Sequence, residues 1–367
     1  MINIATVFSG IGSFEWALKR LGIEYNIVFA CDNGEVEIEV EEDIVRNEIK
    51  KLETLDEQKL YLENLYKKSK KTNFVKKSYL ANYDIEEKDF LRDIRFIDGS
   101  KYRDKIDIFV GGSPCQSFSI MGMQKGFEDT RGTLFYDYAR LISEIKPKVF
   151  VYENVQRIQT HDKGRTWLRI EKTFNSLGYK IYYKVLDAQN YGIPQIRRRM
   201  FVVGFREYID NFKFPLEKKL KYTMQDFLES NVKYGNFKSI DGNITLIREP
   251  GEIDEKYFPS EKVLKHVMSG GTKSYYIRPE IDLPIARTLL STMHKMHRAG
   301  VDNYVTENNR IRRLTPRECL RLMGYDDSFQ QVVSDLQMYR QAGNSIVVDV
   351  MMGIIESILN TIWKLSK

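Results

Sequence analysis

Ile106-Asp107-Ile108-Phe109-Val110-Gly111-Gly112-Ser113-Pro114-Cys115 is the stretch that decides how the chain is read. Its first five residues form a short apolar run, the pattern of a strand buried in a parallel sheet. Paired glycines end the run. Pro114 fixes its own φ and drives Ser113 toward extended backbone, so the turn is rigid. A cysteine is thereby delivered to a strand's carboxyl end, the edge where open α/β sheets bind ligands. A lone cysteine is usually a small buried hydrophobe. The glycine-flanked turn, and the spacing to the motifs below, make Cys115 a candidate nucleophile instead.

The flanking sequence repeats the strand-to-loop pattern. Ile2 to Phe8 reads as a first strand, Ser9-Gly10-Ile11-Gly12-Ser13 as a glycine loop, and Phe14 to Leu21 as a helix closed by Gly22. Glycines there let a ligand approach main-chain N–H groups. The GxGxxG fingerprint is incomplete, which argues against a dinucleotide. Asn26 to Ala30 is a second strand, with Asp32 at its end. The interval suits a carboxylate on ribose hydroxyls, about 20 residues in nucleotide-binding units, and equally an N-cap. Phe90 to Arg95 resumes the pattern, with Asp93 placed to accept from an adenine amino group. Lys148 to Tyr152 is another buried strand, carrying Glu153-Asn154 to the edge that holds Cys115. Strands at 181–186 and 200–205 flank a loop, Tyr191 to Arg199, whose three arginines suit phosphate or carbonyl contacts. The fold class expected is α/β, a doubly wound Rossmann-like sheet.

Two regions break the rhythm. From Glu35 to about Lys88 the chain turns Glu/Lys-rich with apolar residues at helical intervals, reading as one or two surface helices inserted on the scaffold. Lys67, Lys68, Lys70, Lys71, Lys76 and Lys77 form a basic cluster there, either a solvated face or a phosphate contact. From Glu207 to Asn309 the alternation is lost and basic and aromatic residues mix, as groove contacts and base stacking require. Thr315-Pro316-Arg317-Glu318 then starts a helix with a capping box, and Gln341 to Ser345 precede an apolar helix from Ile346 to Leu365.

Composition narrows the classes. The 367 residues are 42% hydrophobic and 29% charged, with 57 Lys+Arg against 51 Asp+Glu and a formal charge of +6, permissive for nucleic acid. Cys31, Cys115 and Cys319 make neither a disulfide framework nor a metal knuckle, and His294 and His297 lack the partners of a zinc site; no metal is expected. The N-terminus opens on a strand pattern rather than a signal peptide, and no run reads as a membrane span, so a reducing, cytoplasmic setting is expected.

Taken together the motifs resemble the DNA (cytosine-5)-methyltransferase family. They are Phe8-Ser9-Gly10-Ile11-Gly12, Gly112-Ser113-Pro114-Cys115-Gln116, Glu153-Asn154-Val155, Gln195-Ile196-Arg197-Arg198-Arg199, Arg313-Leu314-Thr315-Pro316-Arg317-Glu318 and Gln341-Ala342-Gly343-Asn344-Ser345, in the family's order over nearly the whole chain. The resemblance implies that Cys115 adds to C6 of a flipped-out cytosine and that Glu153, in an apolar site, donates to N3. It places Arg197 and Arg199 on the base carbonyl, the thiol or a phosphate. S-adenosylmethionine (AdoMet) is the implied methyl donor, held by Phe8, Gly10, Ile11, Gly12, Asp32, Asn33, Asp93, Ile94, Pro114, Leu134, Asn344 and Ser345. Met121 and Gln124, on the loop from Ser119 to Gly132, are implied to fill the space the base vacates. Arg198, Thr288 and Leu289 are further implied DNA contacts. Asp32-Asn33 departs from the family's usual Glu followed by a bulky residue, and the segment from Asp32 to Asp93 is longer than in compact members.

The expected layout is a catalytic AdoMet-binding domain over 1–205 and 335–367, with the insertion at 35–88, and a target-recognition domain and hinge over 206–334. The expected partner is double-stranded DNA, with no membrane; the enzyme is expected to act as a monomer, with any cognate restriction endonuclease acting separately. A tRNA cytosine-5 methyltransferase on the same scaffold is the alternative. A catalytically silent nucleic-acid-binding module and an NAD-dependent dehydrogenase are the rivals from other classes.

Overall fold

The computed structural model describes residues 1–114, 134–272 and 275–365. The chain forms two compact units. One comprises Met1–Gly10, Glu24–Leu186 and Arg198–Phe212; the other comprises Ile11–Ile23, Asp187–Arg197 and Lys213–Lys367.

Among the described residues the first unit is built on a seven-stranded sheet in the order β3-β2-β1-β4-β5-β7-β6. The strands are β1 (Ile2–Val7), β2 (Tyr25–Cys31), β3 (Phe90–Leu91), β4 (Ile108–Gly111), β5 (Val149–Val155), β6 (Lys180–Asp187) and β7 (Arg198–Phe205). β3, β2, β1, β4 and β5 run parallel, while β7 lies antiparallel to β5. The α/β class is as the sequence reads, with a sheet that is mostly parallel. From β1 the chain builds outward through β2 and β3 on one side and through β4 and β5 on the other, so the topological switch point lies between β1 and β4.

β4 is buried at every position, which explains its unbroken apolar run. Gly111 ends it because a Cβ there would sit 2.7 Å from both Tyr138 and Val7. Helices α5 (Leu134–Ile145) and α6 (Arg165–Ser176) bring Tyr138 and Phe174 into an aromatic core, with Tyr138 stacked on Phe109 at 5.0 Å between ring centres.

The insertion corrects one expectation. It holds three helices, α2 (Glu42–Lys51), α3 (Leu55–Lys67) and α4 (Phe74–Asn82), and they are not merely superficial. Val45, Ile49 and Leu62 bury against Phe96 in a small core of their own. Lys67, Lys68, Lys70, Lys71 and Lys77 are exposed, but Lys76 is buried with its ammonium 2.9 Å from Glu87.

The second unit joins α1 (Ser13–Arg20) to the C-terminal helix, α10 (Val348–Leu365). Trp16 meets the ring of Phe329 edge-on at 5.2 Å. The buried Arg20 guanidinium donates to Asp349 at 2.6 Å and to the Gly324 and Gly242 carbonyls, each at 2.8 Å. These contacts group α1 and the C-terminal segment with residues 213–334, so the compact units divide the chain at other points than 205/206 and 334/335. Between them lie short two-stranded ribbons, β8 (Phe237–Ile240) with β9 (Asn243–Leu246), β10 (Gly271–Thr272) with β11 (Tyr275–Tyr276), and β12 (Tyr304–Glu307) with β13 (Arg310–Arg313), plus a short helix α7 (Glu261–Val267).

α8 (Pro316–Arg321) has the expected capping box: Thr315 Oγ1 accepts from the Glu318 amide at 3.1 Å, and Glu318 Oε2 from the Thr315 amide at 2.8 Å. Gln341 to Asn344, expected as a lead-in to the last helix, instead end α9 (Asp335–Asn344). Gly343 is required there, since a Cβ would come within 2.2 Å of the Ser291 amide. The stretch Asp335–Ile362 is long and apolar enough to cross a membrane by length and composition, contrary to the reading above. Most of its 18-residue apolar window, 67%, is buried within the protein, which is how core helices meet the same test.

Replacing Arg20 by leucine is expected to strand Asp349 without its partner and lower stability by about 3–5 kcal/mol. Urea denaturation of the purified variant checks it.

Candidate active site

Four strand ends and Tyr152 of β5 stand in one rank. Val7 pairs with Cys31 on one side and Gly111 on the other, Cys31 with Leu91, and Gly111 with Tyr152. The next residues along the chain therefore emerge together: Phe8, Asp32, Gly112 and Glu153, with Asp93 two residues beyond Leu91. This is the first unit's ligand-facing edge.

After β1 the backbone turns through left-handed conformations at Phe8 (φ 53°) and Gly10 (φ 54°). Ser9 Oγ accepts from the Cys31 amide at 3.0 Å and so ties this loop to the end of β2. Asp32 binds the loop from the other side. Its Oδ2 accepts from the Gly10 amide at 2.9 Å, and its Oδ1 from the Gly34 amide at 2.8 Å. Burial pushes the Asp32 carboxyl above the usual aspartate range, and the two amides pull it back down. Among the described residues a Cβ on Gly10 would meet only the Phe8 carbonyl, at 4.0 Å. A carboxylate has about four lone-pair sites, and among the described residues Asp32 uses two, which leaves it able to accept further hydrogen bonds. Asn33 caps the next turn, accepting from the Glu35 amide at 3.0 Å.

Asp93 is a correction. Its Oδ2 accepts from the Tyr66 hydroxyl at 2.6 Å and Arg95 Nη2 at 2.6 Å. Oδ1 accepts from the Arg95 amide at 3.0 Å, and Arg95 Nε bridges both oxygens at 3.0 and 3.1 Å. Those contacts fill the carboxylate's accepting capacity, so the adenine amino group expected on it finds no free site. Burial, with Asp93 adding to it, holds the Tyr66 proton on, which keeps Tyr66 a donor. Ile94, the following residue, is buried, and Leu134 opens α5 at the core's margin.

The stem toward Cys115 is anchored on β5. Ser113 Oγ lies 2.8 Å from the Tyr152 hydroxyl, and Asn154 Nδ2 donates to the Ser113 carbonyl at 3.0 Å and to Tyr152 Oη at 2.8 Å. Pro114 is exposed at the end of this stem. Cys115, Met121 and Gln124 lie outside the described residues. A Cβ at Gly112 would stand 2.9 Å from both the Glu153 carbonyl and its Oε2, so the second glycine is what lets stem and carboxylate stand side by side.

Glu153 Oε1 is 3.2 Å from Arg199 Nε. Where the sequence reading expects an apolar site, the Arg199 guanidinium stands beside the Glu153 carboxyl. Arg199 reaches it because Arg198 and Arg199 belong to β7, not to the preceding loop, and β7 pairs antiparallel with β5.

The remaining residues, Arg198 apart, belong to the second unit. Ile11 is buried and Gly12 (φ 74°) is the N-cap of α1. Arg197 was read as a contact to base, thiol or phosphate. It is buried, and its guanidinium donates to the carbonyls of Leu289, Gly343 and Ser345 at 2.9, 2.8 and 2.7 Å. It thus fastens three segments of its own unit. Leu289, read as a DNA contact, is 1% exposed, with its amide donating to Gln195 Oε1. Thr288 is half-buried and donates to the Ile196 carbonyl, while Arg198 and Asn344 are exposed. Sequence reasoning missed the roles of Asn154 and of buried Gln195, which also donates to the Leu322 carbonyl at 2.7 Å. Their only signal was membership of the motifs.

With this geometry in hand, the chain matches the C-5 cytosine-specific DNA methylase family over residues 54–360. It belongs to that family. Relatives include the Type II methyltransferase M.SsoII of Shigella sonnei, 37% identical over 79% of this chain and 72% of that protein. Another is the Type II methyltransferase M.HhaI of Haemophilus parahaemolyticus, 41% identical over 67% of this chain and 73% of the relative. The fold is shared with the S. pombe Dnmt2 methyltransferase, at a TM-score of 0.67 and 18% identity over 99% of both chains. The protein is a DNA (cytosine-5)-methyltransferase, and membership in the family implies AdoMet as its methyl donor.

In this cytosine methyltransferase, Gly112→Ala is expected to push Glu153 off its place beside the stem. Turnover on DNA should fall at least about tenfold while the melting temperature moves little, a split that activity assays beside thermal denaturation will show.

Proposed function

We propose that the enzyme methylates C5 of a flipped-out cytosine in a specific duplex DNA sequence, through a covalent bond from Cys115 to C6, as part of restriction-modification. The observation that carries this is the level at which β4 ends, opposite Tyr152 of β5, which sets the stem after Gly111 beside the Glu153–Arg199 pair. The Type II names of the relatives support the biological setting. A cytosine stacked in a duplex is beyond a side chain's reach, so the base must leave the helix at a cost of a few kcal/mol.

The chemistry follows from the residue types. The Cys115 thiolate forms a bond to C6 while N3 takes up a proton brought on Glu153, which leaves C5 nucleophilic. Arg199 holds the Glu153 carboxyl in position for that edge. AdoMet, when bound, supplies the electrophilic methyl group. A base then takes the C5 proton, the C5–C6 double bond re-forms as the C6–S bond breaks and returns its electron pair to Cys115, and N3 gives its proton back to the Glu153 carboxylate. Among the described residues the open backbone at Gly10 and the unused lone pairs of Asp32 fit the donor's nucleoside; Phe8, Ile11, Gly12, Asn33, Ile94, Pro114, Leu134, Asn344 and Ser345 complete the assignment. Met121, Gln124, Arg198 and Thr288 are assigned to DNA, and residues 206–334 to target recognition. We place the enzyme in the cytoplasm of a prokaryotic cell or phage-infected host, acting as a monomer.

Transfer of a labelled methyl group to duplex DNA, with tRNA as the competing acceptor, tests the substrate. Label is expected on DNA alone. Cys115→Ser should abolish transfer and also the covalent trapping of the wild type on 5-fluorocytosine DNA; label on tRNA, or an active serine variant, refutes the proposal. A second prediction concerns pH. If Asp32 accepts from ribose as a carboxylate, AdoMet affinity weakens as pH falls through its raised pKa, at a higher pH than an ordinary aspartate would give. Isothermal titration across pH 4–8 should show this slope in the wild type and a flat profile in Asp32→Asn.

A further inference from the structure

The insertion between β2 and β3 reaches the strand-end carboxylates through three of its side chains, one for each helix. Asn73, the N-cap of α4, is 4% exposed. Its Nδ2 donates to the Asp32 main-chain carbonyl at 2.8 Å, and its Oδ1 accepts from the Lys76 amide at 2.8 Å. From α3, Tyr66 donates to Asp93 at 2.6 Å. From α2, Glu42 accepts from Arg95 Nη1 at 2.8 Å, and Arg95 in turn grips Asp93. The backbone has adapted to this approach. Gly34 sits at φ +62°, and a Cβ there would lie 2.2 Å from Asn73 Oδ1. A glycine is needed at 34 for two reasons at once, the left-handed turn and the amide pressed against it.

We propose that the insertion is a clamp on the cofactor edge, with Asn73 as a positioning residue that sets the grip of Asp32 on the nucleoside ribose. The inference rests on the reading of Asp32 as the ribose acceptor. Asp32 is held through its side chain by the Gly10 and Gly34 amides and through its main chain by Asn73. The amides fix where the carboxylate oxygens point; Asn73 fixes the peptide that carries them. Without the Asn73 donor, the half-buried Asp32 carbonyl must find another partner, and the peptide turns to do so. The carboxylate then leaves the orientation in which its remaining lone pairs face a ligand. Asp93, already full, serves the clamp rather than the adenine.

The test is calorimetric titration of S-adenosylhomocysteine and of its 2′,3′-dideoxy analogue into wild type and Asn73→Ser, which keeps a capping oxygen for Lys76 and removes the amide donor. Wild type should prefer the hydroxylated ligand by about tenfold or more, as for a hydrogen bond to a charged acceptor. Asn73→Ser should lose most of that preference, while its affinity for the dideoxy analogue and for duplex DNA stays within about twofold. Equal preference in wild type and variant overturns the clamp. A wild type that binds both ligands alike refutes the ribose reading itself, and the clamp with it. Should Asn73→Ser fail to fold, Asn73→Asp, which keeps the cap and sets an oxygen against the carbonyl, is held to the same outcomes.

Discussion

A parallel ladder fixes the level at which its strands stop, and this constraint organises the catalytic edge. Leu91, Cys31, Val7, Gly111 and Tyr152 are hydrogen-bonded neighbours across four parallel pairings. None can advance or retreat by one residue without turning its strand's side chains to the opposite face, and the strands are packed on both. The groups that follow them inherit that precision. Asp32 and Glu153 come from strands more than a hundred residues apart in sequence, yet their relative height is set by main-chain hydrogen bonds rather than by side-chain preference. Loops can then vary in length without disturbing the rank.

The same economy is visible in how buried polar side chains are used. Glu318 completes the capping box of α8 and at the same time accepts from both Arg312 nitrogens at 2.9 Å, with both side chains fully buried. Its Oε1 also takes the Glu229 amide at 2.9 Å. Arg197 and Gln195 do comparable work on main-chain carbonyls and amides. Buried groups of this kind are costly unless most of their donors and acceptors are met, and by meeting them each acts as a multi-point fastener for segments that have little regular structure of their own.

The strand-to-loop rhythm of the first half was legible in the sequence because buried parallel strands write themselves as short apolar runs ended by glycine or a carboxylate. Glu153, Asp32 and the stem at Gly112 could be placed on one edge by that rhythm alone. The roles of Asp93 and Arg197 could not, because a motif shows which residue is present and not how many of its hydrogen-bonding positions are already taken. Asp93 is filled by Arg95 and by Tyr66, a residue from the inserted helices that the strand rhythm does not reach. Arg197 precedes β7 and fastens carbonyls, while Arg199 lies within β7 and meets Glu153. Three arginines in a row look alike in sequence; the start of the strand between the first and the others separates their roles. The ribbons between 213 and 334 left still less trace, since strands of two to four residues carry too few positions to show a period.

One consequence of the reversed strand β7 reaches beyond its own pairing. Glu153 has a neighbour on each flank, and they come from chain segments travelling in opposite senses: the stem after Gly111 on an outgoing strand, Arg199 on a returning one. Residues added after the stem leave the arginine where it is, and residues added ahead of β7 leave the stem where it is. The carboxyl is a fixed post between two independently extensible arms, so either arm can diverge among descendants of this sequence while the post keeps its place.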